Sequence, residues 1–561
     1  MQQEPNYWQR AWARRLGRRQ FLRYAAAAAG AGAFLAACRQ AEVPEATPAA
    51  RQAPPPGQGG TLVLHDNGDP ASFDYYKTWS YRTMMYMSMV YPKLLKFKVG
   101  PGVGPIDFDI VPDLATAMPE QPEATTYIFR LRPARWEDRA PLNGRALTAE
   151  DVVKNWERFK AEHPNRALLA DVDRVEATAQ DTVRFTLARP LGPFVNHMGH
   201  QGMFYIMPYE LFGTGRLEKE MWSAGPYLFK GYDIGVEVRF DRNPNYFLST
   251  KPLLAGAVYR IVPDTATTIS QLRAKQLDSL AWTAVVTPKD VQSLRRDLPD
   301  AVFTPYEVQG NPWIGFDLND RVFQDKRVRQ AISMAINRDD LVRVGEEGRW
   351  ALPWGVLDRW YFDPRANQFP NARYYQFNPT EARNLLQAAG VSRLGPYDMI
   401  ASQVWTPEQL QMAQLIQQQL RQVGIETNLR PLPFAEYYAQ TVLGGRWQGG
   451  LAVSANLVGA DPNEYLTLFW NPDSPRLIAP GLAPILRQDT ELMSAIERQR
   501  REVDANRRRE LLREVANLMA DRMYNVPTTV QRAYHVHQAN VQELHWIFTY
   551  AQEYMLDCYK S

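Results

Sequence analysis

Fifteen tryptophans are the first residues in this chain that could do chemistry. Trp79, Trp282, Trp313, Trp405 and Trp447 each carry a flat apolar face and one N–H donor, which suits stacking on a sugar ring or capping a peptide side chain. Metal chemistry is less well provided for. His535 and His537 would share a face of a strand, and His197 and His200 a face of a helix. Neither pair has a third His, Cys or acid at ligand spacing, so core or surface histidines are expected, with no metal and no cofactor. No G-x-S-x-G elbow, H-E-x-x-H pair or S-x-x-K set stands out, which argues against an exported hydrolase. Asp461 precedes Pro462, a pairing that shapes turns as readily as it serves a ligand.

Cys38 carries a different chemistry. It follows Leu35-Ala36-Ala37, a run that resembles the lipobox of bacterial lipoproteins, where the cysteine is lipidated and becomes the first mature residue. Upstream lie Arg18-Arg19-Gln20-Phe21-Leu22-Arg23 and the Ala- and Gly-rich run Tyr24 to Ala37. That run falls short of the roughly 20 apolar residues that span a bilayer. Charged, apolar and small-residue regions in this order make a signal peptide. The arginine pair resembles the twin-arginine consensus, with Gly17 where Ser or Thr is usual. Residues 1–37 are therefore read as a signal peptide and 38–58 as a tether. Pro44, Pro48, Pro54, Pro55 and Pro56 keep that tether extended. With Cys38 lipidated, Cys558 has no partner and no disulfide is expected.

The formal charge of +3 is misleading, because residues 1–37 hold six Arg and one Glu. The remainder has 58 basic and 60 acidic residues. That balance argues against nucleic acid as a partner, since phosphate binding needs a sustained basic face. At 561 residues the chain has room for three or four structural units.

Elements that could position a site follow from periodicity. Thr61 to His65 reads as a strand. Tyr127, Phe129 and Leu131, then Val183, Phe185 and Leu187, then Val236, Val238 and Phe240 alternate as on one face of a pleat. Thr148 caps a helix whose buried stripe is Val152, Val153, Trp156 and Phe159. Asn378-Pro379 opens a helix ended by Gly390, and Thr406-Pro407 opens one ended by Gly424, with a strand at Ile425 to Leu429. Helix, glycine and strand in repetition indicate an α/β lobe. A long helix near Asn506 to Arg522 leads to a strand at Asn525 to Val530, expected to return to the first lobe.

Several blocks then match one family in order and spacing. Val111-Pro112-Asp113-Leu114-Ala115 resembles its P-D-L-A block. Tyr127-Ile128-Phe129-Arg130-Leu131-Arg132 with Leu142 to Val153 resembles T-F-x-L-R … G-x-P-x-T-A-x-D-V. Gly225-Pro226-Tyr227 and Arg242-Asn243-Pro244-Asn245-Tyr246 resemble G-T-G-P-Y … R-N-P-x-Y. Gly315 to Asn319 with Asp325 to Ala331 resembles F-N … D-x-R-V-R-Q-A, and Asp461-Pro462 stands at the late D-P loop. The chain thus resembles extracellular solute-binding protein family 5, the peptide-, dipeptide- and nickel-type binding proteins of ABC importers.

The resemblance implies an α/β, two-lobed periplasmic-binding-protein fold of the Venus flytrap type, with an extra subdomain inserted in the first lobe. The first lobe would comprise 59–100, 225–308 and 520–561, the insertion 101–224, and the second lobe 309–519. Hinge strands are expected near Tyr306 to Trp313 and Tyr524 to Pro527. A solute that touches both lobes only when they close would shift the population to the closed form. The implied partners are a peptide or similar solute, ABC permease subunits and a separate ATPase, in keeping with the lack of a phosphate loop here. The protein would be an extracytoplasmic, lipid-anchored monomer. The implied ligand contacts are Trp282 foremost, then Trp79, Trp313, Trp405 and Trp447, the strand segment Ser454, Ala455 and Asn456, and Asp461. Peptide-binding relatives often place an acid shortly before the D-P loop to clamp an amino terminus, and none precedes Asp461 here. An oligosaccharide or a metal chelate stays open as the solute, and so does a ligand-sensing role.

Overall fold

The computed structural model describes residues 54–77, 80–280, 286–308, 310–345, 347–402, 408–441, 445–457, 459–547 and 555–561. Cys38, Trp79, Trp282 and Trp405 lie outside the described residues, as does the Thr406-Pro407 helix start.

Four sheets carry the architecture. The first has strand order Thr61–Asp66, Gly256–Ile261, Glu237–Arg242, Tyr227–Asp233. Its first two strands run parallel and the others antiparallel. The helix Tyr81–Val90 belongs to this lobe, and its Tyr86 hydroxyl donates to Asp66 Oδ2 at 2.7 Å. Val236 does not join the alternation. It is exposed, because the strand starts one residue later, beyond a turn at Gly235 with φ 71°.

Between the first and last strands of that sheet the chain inserts a second one, ordered Glu120–Glu123, Thr126–Arg130, Thr182–Leu187, Val172–Ala179. The helix Ala149–Glu162 packs on it. The Thr148 N–H donates to the Asp151 carboxylate at 2.9 Å, which closes the first turn. Trp156 stacks on Phe159 with ring centroids 5.4 Å apart, so this tryptophan is core, as its helical stripe requires.

The second lobe holds a five-stranded mixed sheet, ordered Ile425–Pro431, Leu394–Ala401, Gly450–Leu457, Gly310–Phe316, Asn525–Pro527. The helices Pro379–Ala388 and Glu408–Gln422 end in turns where Gly390 (φ 76°) and Gly424 (φ 87°) adopt left-handed backbone. The predicted helix, glycine, strand repeat is present.

The long helix Ala505–Arg522 precedes not one strand but two. Asn525–Pro527 pairs with Trp313 to Gly315 in the second lobe, whereas Thr529–His537 pairs with Val302–Glu307 and with Gly348–Trp350. Pro527 has no N–H to continue a ladder, so the strand breaks there. Thr528 instead donates its N–H to the Pro312 carbonyl at 3.0 Å. Fully buried Arg338 donates from Nε to the Pro527 carbonyl at 2.9 Å and fixes the crossing.

No helix among the described residues is long and apolar enough to cross a membrane. Cys558 is buried and unbridged.

Candidate functional site: a cleft bridged by polar side chains

Strand Gly450–Leu457 organises the first part of the site. It pairs antiparallel with Gly310–Phe316, so that Trp313 lies opposite Ser454. Side chains alternate along a strand, so Ser454 and Asn456 share the Trp313 face while Ala455 points to the other. Trp313 Nε1 donates to Asn456 Oδ1 at 2.6 Å, and the Trp313 and Trp447 rings stack at 6.0 Å with 27° between planes. Gly315 makes room for both indoles, since a Cβ there would lie 2.6 Å from Trp313 and 3.0 Å from Trp447. The Tyr437 hydroxyl donates to Ser454 Oγ at 2.8 Å, and Ser454 donates to Thr441 Oγ1 at 3.1 Å. Ser454 therefore spends its hydroxyl inside the lobe. Asn456 Nδ2 and Trp447 Nε1 are buried donors with no hydrogen-bond acceptor among the described residues. Such groups usually find a partner, and leaving one unmet costs about 1–3 kcal/mol.

The second part is centred on Asp461, which the sequence offered both as turn former and as ligand contact. It caps the helix Pro462–Phe469, accepting from the Asn463 N–H at 2.8 Å. Arg508 donates to its two oxygens at 2.7 and 2.5 Å, and Asn196 Nδ2 reaches Oδ2 at 2.8 Å. A carboxylate has about four lone-pair directions, and these four donors fill them. In this arrangement Asp461 serves the cap and the seam, the turn-forming side of the two readings. Burial alone would raise its pKa, but the Arg508 guanidinium outweighs burial and holds it at about 2.

Asn196 belongs to the inserted subdomain, on the helix Phe194–Gly199, so this carboxylate joins the subdomain to the second lobe. Next to it, His197 Nε2 lies 3.2 Å from Asn463 Nδ2, and Asn463 Oδ1 accepts from Gln499 at 3.1 Å. Burial pushes the His197 pKa down to about 4, so the imidazole is neutral and accepts from Asn463. The sequence pairing of His197 with His200 thus serves an interface. His535 sits elsewhere, 2.9 Å from Ser279 Oγ and stacked on Trp546.

A third contact set closes the same seam. Asp171 of the subdomain meets Arg500 and Arg501 of the second lobe, each at 2.8 Å. The Gly192 N–H donates to the Arg500 carbonyl at 2.8 Å, and Arg501 donates to the Pro190 carbonyl at 3.0 Å. Backbone approach is closest at Gly192, where an added Cβ would lie 1.9 Å from the Glu502 carbonyl oxygen. A cavity of about 510 Å³ remains beside this seam, lined in part by Lys98, Tyr127, Asn196, Arg359, Trp360 and Arg508.

Of the residues singled out from sequence, the structure brings together Trp313, Trp447, Ser454 and Asn456, faces Ala455 away, and assigns Asp461 to the seam. Sequence reasoning missed Asp171, Asn196, Arg500, Arg501 and Arg508, which come from distant segments and form no local pattern. Two lobes joined by paired strand crossings, with side chains of the inserted subdomain bridging to the second lobe, make a two-lobed binding-protein fold. The chain belongs to the bacterial extracellular solute-binding proteins of family 5, whose middle-region model matches residues 109–475. It is 25% identical over 459 residues to the dipeptide-binding protein of Escherichia coli (strain K12), covering 73% of this chain and 79% of that one. Its fold superposes on the periplasmic binding protein DppA from Helicobacter pylori in complex with the peptide STSA. There the TM-score is 0.71 and the identity 21%, over 90% of this chain and 99% of that one. AgaA from A. tumefaciens R10 in complex with agropinic acid matches with a TM-score of 0.72 and 19% identity, over 90% of this chain and 99% of that one.

Proposed function

We propose that this chain is the solute-receiving lipoprotein of an ABC importer. It takes a peptide or a similar oligomeric solute between its lobes and presents the closed form to the permease, and a separate ATPase supplies the energy. The observation that carries this reading is the seam of Asp461, Arg508, Asn196 and Asp171, whose partners come from two units. A solute bound between those units would favour the state in which these contacts form. The crossings near Val308 and Thr528 would serve as the hinge. Asn456 Nδ2 and Trp447 Nε1 would then meet acceptors on the solute or on ordered water.

The relatives support a peptide, and the AgaA match supports a wider solute range on the same fold. The test is mass spectrometry of solute released from the purified protein, followed by a thermal-shift screen of peptides, oligosaccharides and metal chelates. A true solute at a hundred times its Kd should stabilise the protein by about 2.7 kcal/mol. If no solute is released and none of these compounds stabilises the protein, the reading fails, and turnover of a bound compound would make it an enzyme instead.

The anchor is proposed to be lipid on Cys38, with the Pro-rich segment holding a monomeric body outside the cytoplasmic membrane. Cys38→Ala protein is expected in the soluble extracytoplasmic fraction with an unchanged melting temperature. Retention in the membrane fraction would contradict the anchor.

A further inference from the structure

The cavity of about 510 Å³ beside the seam has the size of a small-molecule site, and solute capture between the lobes leaves it without a task. None of Trp313, Trp447, Ser454 and Asn456 lines it. Part of its wall is Asn196 and Arg508, whose side chains are both held on Asp461. One side comes from segments that lead into and through the inserted subdomain. The strands Leu95–Phe97 and Ile110–Pro112 pair there, and the Lys98 N–H donates to the Asp109 carbonyl at 2.7 Å, which sets these two residues side by side. The other side comes from the second lobe, with the turn Asp358–Trp360 and the start of the helix Ala505–Arg522.

The lining combines buried aromatic walls with unspent positive charge. Trp360 and Tyr127 are each only 3% exposed. The Arg508 and Arg359 guanidiniums lie 4.9 and 5.3 Å from the Trp360 ring centroid and hold that ring in place. The Tyr127 hydroxyl accepts from Gln121 Nε2 at 2.9 Å, and Gln121 lines the cavity too. The Tyr127 O–H itself has no acceptor among the described residues. Burial pushes its pKa up to about 12, so the phenol keeps its proton at neutral pH. Arg508 is neutralised by Asp461. The Lys98 ammonium forms no ion pair among the described residues and acts on Asp107 only through its field. Arg359 Nη1 comes no closer than 4.0 Å to Asp109, the acid on the lining. Asp107 and Asp358 lie off the lining and have partners of their own, the Gly104 N–H at 2.6 Å and Arg349 at 2.5 Å. Two cations therefore face one acid. Met118 and Val503, also on the lining, are 42% and 48% exposed, apolar surface that an occupant would cover.

We propose that this cavity is a second ligand site, separate from the solute cleft, which takes a small aromatic monoanion of the aryl carboxylate class. The aromatic body would lie against Trp360 and cover Met118 and Val503. The carboxylate would accept from the Lys98 ammonium, the Arg359 guanidinium and the Tyr127 O–H. Because two units supply the walls, the ligand favours the arrangement in which Asp171 meets Arg500 and Arg501. A solute between the lobes favours that arrangement as well. By linkage, each of the two ligands then raises the affinity of the other by one common factor.

The probe is 2-naphthoate, with 2-naphthylmethanol as its uncharged counterpart, titrated calorimetrically into protein stripped of solute. Wild-type protein should bind the acid about tenfold or more tighter than the alcohol, the difference that one or two charge-assisted hydrogen bonds make. Protein carrying both Lys98→Met and Arg359→Met should bind 2-naphthoate about tenfold or more weaker. Its melting temperature should be unchanged, and so should its affinity for the low-molecular-weight fraction released from denatured wild-type protein. Val503→Asp, at a half-exposed position, should weaken 2-naphthoate by a like factor, since it sets a negative charge beside the anion. The released fraction should tighten 2-naphthoate binding. Equal binding of acid and alcohol, or undiminished binding of the acid in these variants, overturns the site. Displacement of 2-naphthoate by the released fraction puts the probe in the solute cleft and overturns the site too. An affinity that the released fraction leaves unchanged overturns the coupling. A wild-type protein that releases no solute removes the solute-binding reading, while the comparison of acid, alcohol and variants still decides this site.

Discussion

Arg508→Leu is expected to lower unfolding stability by about 3–5 kcal/mol, the range for breaking a buried ion pair from one side. The substitution leaves the Asp461 carboxylate 2% exposed with its two strongest donors gone. Gln499 also loses the guanidinium that its carbonyl oxygen accepts from at 3.1 Å. The sign with pH follows from the depressed carboxyl. Its contribution is fully present above the unfolded value near 3.8 and is lost as pH falls towards about 2. Urea unfolding followed by tryptophan fluorescence should therefore show a large gap between wild type and variant at pH 7 that narrows below pH 4. Adding Asp461→Asn should return part of the loss, because the stranded charge is removed. A gap under about 1 kcal/mol at pH 7 would mean that water already reaches Asp461.

Gly192→Ala should act on closure rather than on the stability of either lobe. The new methyl would meet a backbone carbonyl at 1.9 Å, and a backbone atom cannot swing aside as a flexible side chain can. The φ of Gly192 is one that alanine also adopts, so the backbone itself is unstrained. Closing must then stop short, which separates Asp171 from Arg500 and Arg501. Apparent affinity falls in proportion to the competent fraction. A loss of tenfold or more in solute affinity is expected, with little change in the melting temperature of the solute-free protein. Full affinity would show that the loop at Glu502 can retreat without opening the seam.

Individual helices and turns were legible in sequence because their signals are local. The stripe Val152, Trp156, Phe159 and the turns at Gly390 and Gly424 each follow from one segment's own pattern. Trp313, Trp447 and Asn456 were singled out by residue type and by the resemblance, and the structure packs them against one another. The seam was not. Asp171, Gly192, Asn196 and Arg508 span more than 300 positions, and a charge on a helix face reads as solvated surface until its partner is known. Asp461 carried two readings because Asp-Pro serves a cap as well as a ligand. The segment after the long helix reads as one strand in sequence, whereas the missing N–H of Pro527 divides it between two sheets.

The central claim is that solute holds two hinged units shut across the seam. Small-angle X-ray scattering measures this directly, on wild-type protein stripped of solute by reversible denaturation and then given back its released fraction. The radius of gyration should fall on adding the fraction, and Gly192→Ala protein should fail to contract to the same value. One unchanging radius in the stripped and refilled states, equal in both proteins, would contradict it.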